Sequence, residues 1–81
     1  MKLPRDLSGE ELARLLRRYG YEITRQTGSH LRLISRFKSA EHHLTFPRHS
    51  SLKVGTLAGI LADVADYLET EQATLAEALF T

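Results

Sequence analysis

The chain reads as an α+β domain of order α-β-β-β-α. The sheet is three-stranded and antiparallel, helices cover one face, and a short extra helix closes the C-terminus. Three observations predict this. A capped stretch of helical periodicity, "SGEELARLLRRYG", stands first. Three short stretches of alternating character follow, joined by loops too short for a parallel crossover. Two more stretches with apolar residues at helical spacing complete the chain. With 81 residues there is material for a single domain over 1–81, two layers thick.

Ser8 and Glu11 form a capping box: the hydroxyl takes an orphan amide and the carboxylate reaches back. Leu12, Leu15, Leu16 and Tyr19 then recur on one face, and Gly20 stops the helix, which spans about residues 8 to 19. "YEITRQ" (21–26) alternates, with Tyr21 and Ile23 on one side and Glu22, Thr24 and Gln26 on the other. "HLRLIS" (30–35) sets Leu31 and Leu33 against His30, Arg32 and Ile34. Between these strands "Thr-Gly-Ser" makes a hairpin in which Gly28 is free to take positive φ. After a polar loop (36–41), "HHLTF" sets Leu44 and Phe46 against His43 and Thr45, and Pro47 ends the strand because it has no amide to donate.

Val54, Leu57, Leu61, Val64 and Leu68 mark the stripe of the second helix. Thr70 is the expected cap of the last helix, whose buried side is Leu75, Ala76, Leu79 and Phe80. Helices over the leucines leave an open sheet face of Glu22, Thr24, Gln26, His30, Arg32, Ile34, His43 and Thr45.

Charge is unevenly spread. Residues 1–53 hold all eleven Lys and Arg against five acids, a net +6. Residues 54–81 hold five acids and no Lys or Arg, a net −5. This asymmetry suits an anionic partner on one surface, although segments need not map onto faces. No cysteine is present, so disulfide and thiolate-metal chemistry are excluded. No run approaches the roughly 20 apolar residues of a membrane span, and "MKLPRDLSGEE" is not a signal peptide. A soluble cytoplasmic protein is expected, with no membrane partner. The pair His42 and His43 points to opposite faces of a strand and cannot chelate jointly, so no metal site is expected.

His30 is the residue with most chemistry to offer. An imidazole near its ordinary pKa of about 6.5 takes or gives a proton at neutrality. On the open face it stands apart from the core, and its plain alternative is a solvated hairpin histidine. Gly28 is either a turn glycine or a point where backbone approaches phosphate. Ser29 is a turn hydroxyl or a phosphate donor. Arg25, Arg32, Arg36, Lys38, Arg48 and Lys53 are candidate phosphate contacts. Gly55 and Thr56 open the second helix, where free amides and the helix dipole suit an anion. His43 shares the open face and is the candidate second acid–base group, while His49 better suits a loop-ordering role.

Three pieces of sequence together carry a family resemblance. "LPRDLSGEEL" leads into the first helix, "YGYEITRQTGSHLRL" holds a Gly-Ser-His signature, and "TFPRHSSLKVGTLAGIL" holds a Pro-x-His and a Gly-Thr-Leu segment. In that order, over residues 3 to 65, they resemble the HicA-type (YcfA-like) toxins, an mRNA interferase family. The resemblance implies a fold like the double-stranded-RNA-binding domain. It also implies an endoribonuclease acting on mRNA without metal or other cofactor, with the catalytic histidine at His30. The implied partners are RNA and a HicB-type antitoxin, with which the chain forms a hetero-oligomer. Two departures stand out. Many members have a second histidine where this chain has Leu31, and the acidic tail after Ala65 lies outside the matching motifs. The alternative function is a non-catalytic RNA-binding module in which His30 only touches RNA.

Overall fold

The structure is a computed structural model and describes residues 2–81. The order is α1 (Gly9–Leu16) with a 3₁₀ turn (Arg17–Tyr19), β1 (Tyr21–Thr27), β2 (His30–Ser35), β3 (His42–Pro47), α2 (Val54–Leu68) and α3 (Gln72–Phe80). The three strands form one antiparallel sheet in the order β1-β2-β3. The α+β fold with an added C-terminal helix is therefore as expected. Among the described residues no helix is long and apolar enough to cross a membrane.

Local signals account for the first half. Ser8 Oγ accepts from the Glu11 amide at 3.0 Å, and Glu11 Oε1 accepts from the Ser8 amide at 2.9 Å. Those two bonds hold the Glu11 carboxyl below its usual range. Gly20 closes the helix at φ 80°, and Gly28 turns the hairpin at φ 53°. Leu12, Ala13 and Leu16 of α1 pack on Tyr21, Leu31, Leu33, Leu44 and Phe46 of the sheet, and Leu57, Leu61 and Val64 of α2 join them in one core.

Four details depart from the expected pattern. Ile23 stands on the helix side opposite Leu33, but at the sheet edge no helix reaches it, and it is 48% exposed. Val54 sits at the first turn of α2, beyond the core, and is 46% exposed. Thr70 does not cap α3: its amide is used to close α2 on the Ala65 carbonyl, and the N-cap is Glu71, with no side-chain bond. The fourth departure reshapes the open face. Register shifts between Ile23 and Arg25, leaving Thr24 as an extra residue, so alternation reverses beyond it. Arg25 moves to the open face opposite Arg32, and Gln26 moves to the helix side opposite Leu31.

Candidate active site on the open sheet face

Cross-strand pairing lays the open face out in rows. One row is Thr27, His30 and Pro47; the next is Arg25, Arg32 and Thr45; the third is Glu22, Ile34 and His43. The first two rows line a shallow hollow of about 310 Å³ walled by Arg25, Thr27, His30, Arg32 and Thr45. The bulge is what brings Arg25 there. Thr24 Oγ1 reaches the Arg32 carbonyl at 3.3 Å and ties the bulge to β2.

Arg25 and Arg32 face each other directly, an arrangement that costs stability, roughly 0.2–1 kcal/mol for like charges on opposed strands. Neither arginine is in an ion pair among the described residues. Two unpaired cations held side by side beside an exposed imidazole form a ready anion site. No acid lies in the hollow to compete for them.

Three backbone segments fix the hairpin end. The Arg48 amide donates to the Ser29 carbonyl at 2.6 Å, pinning the residue before His30. The Arg48 guanidinium meets Glu10 at 3.1 Å, in the first turn of α1. The Gly9 amide donates to the His49 carbonyl at 3.0 Å. A Cβ built on Gly9 would run into the Pro47 carbonyl oxygen, so only glycine lets α1 approach this loop. The packing role of Gly9 is long-range and has no signature in the sequence. His49 meets α1 through its backbone carbonyl alone.

Ser29 Oγ stands 3.4 Å from His30 Nδ1, a long contact that leaves the imidazole free to turn toward a ligand. A Cβ on Gly28 would meet nothing within 4 Å, so the turn backbone is open to approach. At the start of α2, Lys53 is the N-cap and makes no side-chain hydrogen bond to the amides of the first turn, where Gly55 and Thr56 stand.

Other candidates lie elsewhere. His43 is two rows from His30, about 13 Å by strand rise, and its Nε2 faces Glu41 at 3.4 Å. Arg36 is bonded to Glu41 at 2.6 Å and Lys38 to Glu69 at 2.8 Å, beyond the far end of β2. These partners hold the Glu41 and Glu69 carboxyls below their usual range. The structure thus gathers Arg25, Gly28, Ser29, His30, Arg32 and Arg48 at the hairpin end and leaves Arg36, Lys38 and His43 apart.

The far end has its own cluster. The Tyr21 hydroxyl and His42 Nδ1 are 2.6 Å apart, and His42 stacks on Tyr67 at 4.7 Å. Burial pushes the Tyr21 phenol well above its ordinary range. Tyr67 OH donates to the Ala40 carbonyl at 2.6 Å and accepts from the Lys38 amide at 2.8 Å. This cluster fastens the 36–41 loop to α2 and is structural.

A family model described as the HicA toxin of bacterial toxin-antitoxin matches residues 9–65. No curated protein and no solved structure gives a significant match. The matched span runs from the first residue of α1 into α2, through all three strands and the hairpin that carries His30. It covers more than half of the chain, and the chain therefore belongs to the HicA toxin family of bacterial toxin–antitoxin systems.

Proposed function

We propose that this toxin is a metal-independent endoribonuclease that cuts mRNA in the cytoplasm with His30. The observation that carries this reading is the exposed His30 beside two unpaired arginines on the open sheet face. His30 takes the proton of a ribose 2′-hydroxyl. The freed oxygen attacks the adjacent phosphorus, the 5′-oxygen of the next nucleotide leaves, and solvent supplies its proton. The products are a 2′,3′-cyclic phosphate and a 5′-hydroxyl. Arg25 and Arg32 balance the charge that builds on the phosphorane oxygens. The open Gly28 backbone and the Ser29 hydroxyl bound the phosphate from the turn side. Arg48, Lys53 and the amides at Gly55 and Thr56 hold flanking phosphates. Arg36 and Lys38 stand beyond the far end of β2, away from the hollow, and add long-range attraction only, whereas Arg48 stands at the hairpin end and would turn from Glu10 to a phosphate. His43 has no part in the step.

A HicB-type antitoxin would silence this activity by covering the hollow, with an acidic surface against Arg25 and Arg32. Phe37, 57% exposed in the 36–41 loop, offers an anchor for the same partner. Expressing the parent and His30→Ala from an inducible promoter tests the reading. Growth arrest is expected for the parent alone, with the variant folded by circular dichroism. A folded variant that arrests growth equally refutes it. RNA that is bound but left intact by the parent protein would favour the non-catalytic module, which fits a hollow with a single acid–base group.

A further inference from the structure

The edge of the sheet at β1 carries features that the RNA reading leaves unused. β1 is a terminal strand, so one side of its backbone has no strand partner. Ile23 faces the helix side there and is about half exposed. Between this edge and α1 runs a groove of about 780 Å³ whose walls include Arg14, Arg17, Tyr21, Glu22 and Ile23, two cations against one acid. Of the three arginines in "RLLRRY", Arg18 donates to the Ala78 carbonyl at 2.6 Å. Arg14 and Arg17, three residues apart on the helical surface, are in no ion pair among the described residues.

We propose that this groove docks an extended acidic segment of a protein partner. The segment adds as a short strand to the outer edge of β1 at Tyr21–Ile23. Its backbone meets the unpaired amides and carbonyls, an apolar side chain covers Ile23, and carboxylates stand between Arg14 and Arg17. Strand addition of this kind takes its affinity from the main chain and its register from side chains on alternate positions. The source of the segment is the antitoxin that family membership implies, and only that identity rests on the reading above.

Two other occupants fit less well. RNA would meet Arg14 and Arg17, but a phosphate chain gains nothing from an isoleucine and is repelled by edge carbonyls. A second copy, pairing β1 with β1, would set the basic groove against itself, and the bulge at Thr24 interrupts the flat edge that such pairing needs. The proposed site is distinct from the masking of His30. Tyr21–Ile23 lies at the start of β1, and His30 faces its other end at Thr27.

The test uses the full chain carrying His30→Ala, so it is independent of cleavage. A short capped peptide of alternating valine and glutamate is titrated into the ¹⁵N-labelled protein, with a valine–lysine peptide as control. Amide shifts at Arg14, Arg17 and residues 21–23 are expected with the acidic peptide alone. Affinity should fall roughly tenfold in the Arg14→Glu/Arg17→Glu double variant, and also in Ile23→Ser. If the charge reversal fails to fold, Arg14→Gln/Arg17→Gln replaces it with the same expectation. On the parent background, cleavage of RNA should be unchanged by the arginine substitutions. Shifts confined to Arg25, His30 and Arg32 would overturn the proposal, because the peptide would then be imitating phosphate. Equal affinity in the arginine variants would overturn it, and so would a dimer of the chain alone that Ile23→Ser dissociates.

Discussion

Replacing Gly9 by alanine should damage this protein far more than its place at a helix N-terminus suggests. A Cβ there collides with the Pro47 carbonyl oxygen and stands 3.0 Å from the Arg48 Cα. Both are backbone atoms, so no rotamer change relieves the contact. Either α1 or the 47–49 loop must shift. Overpacking of this kind costs about 1–3 kcal/mol. The shift also strains the Gly9-to-His49 hydrogen bond, worth about 1 kcal/mol. The helix propensity gained by alanine is under about 1 kcal/mol and partly offsets these. A net loss of about 1–3 kcal/mol lowers the melting temperature by about 4–24 °C in a domain of this size. Thermal denaturation followed by circular dichroism reads it directly. Gly55→Ala is the control. Its Cβ meets nothing within 4 Å in a helical position, so the same substitution should stabilise by about 0.4–1 kcal/mol. Equal melting temperatures for the two variants would refute the close-approach argument. The 47–49 loop also pins the hairpin through Ser29, so Gly9→Ala at a temperature where it remains folded should lose RNA cleavage as well.

Two further predictions concern charge. The Glu11, Glu41 and Glu69 carboxyls are all held below their ordinary value of 4.5 by hydrogen bonds to Ser8, Arg36 and Lys38 respectively. Depressed folded values mean that their stabilisation is complete above 4.5 and is lost as pH falls through the folded values. A pH series of thermal melts should therefore drop below that point, and the Glu11→Gln/Glu41→Gln/Glu69→Gln triple variant should drop less steeply; parallel curves would contradict this. RNA binding by His30→Ala should weaken with salt, with a slope of about −0.7 per phosphate contact on single strands. Filter binding of Arg25→Gln/Arg32→Gln on that background should show a slope flatter by about 1.4, and an unchanged slope would remove these arginines from the interface.

Much of the fold was legible because its signals are local. Ser8 with Glu11, the glycines at 20 and 28, and the alternation of "HLRLIS" each act within a few residues. What escaped depends on distant partners or on irregular backbone. Nothing in "EITRQ" marks Thr24 as a bulge residue, yet the bulge decides which side Arg25 takes. The end of α2 was hidden because Glu69, at φ 59°, takes the left-handed cap that glycine usually supplies. Thr70, a good cap residue by type, was thereby displaced from that role. Gly9 reads as an ordinary first-turn residue until Pro47 is folded against it. The place of His30 on the open face was legible from the strand alternation, but which residues flank it was only partly so. Arg36, Lys38 and His43 share its charge or face in sequence, and the register separates them from it.

The central claim is that His30 deprotonates a ribose 2′-hydroxyl without help from a metal. The direct measurement is cleavage of a single-stranded RNA in EDTA, compared with the same RNA carrying one 2′-deoxynucleotide at the mapped cut. The parent protein should cut the all-RNA strand to a 2′,3′-cyclic phosphate and a 5′-hydroxyl, leave the substituted position intact, and lose the activity in folded His30→Ala. Cutting at the 2′-deoxy position, or by the folded variant, would contradict the claim.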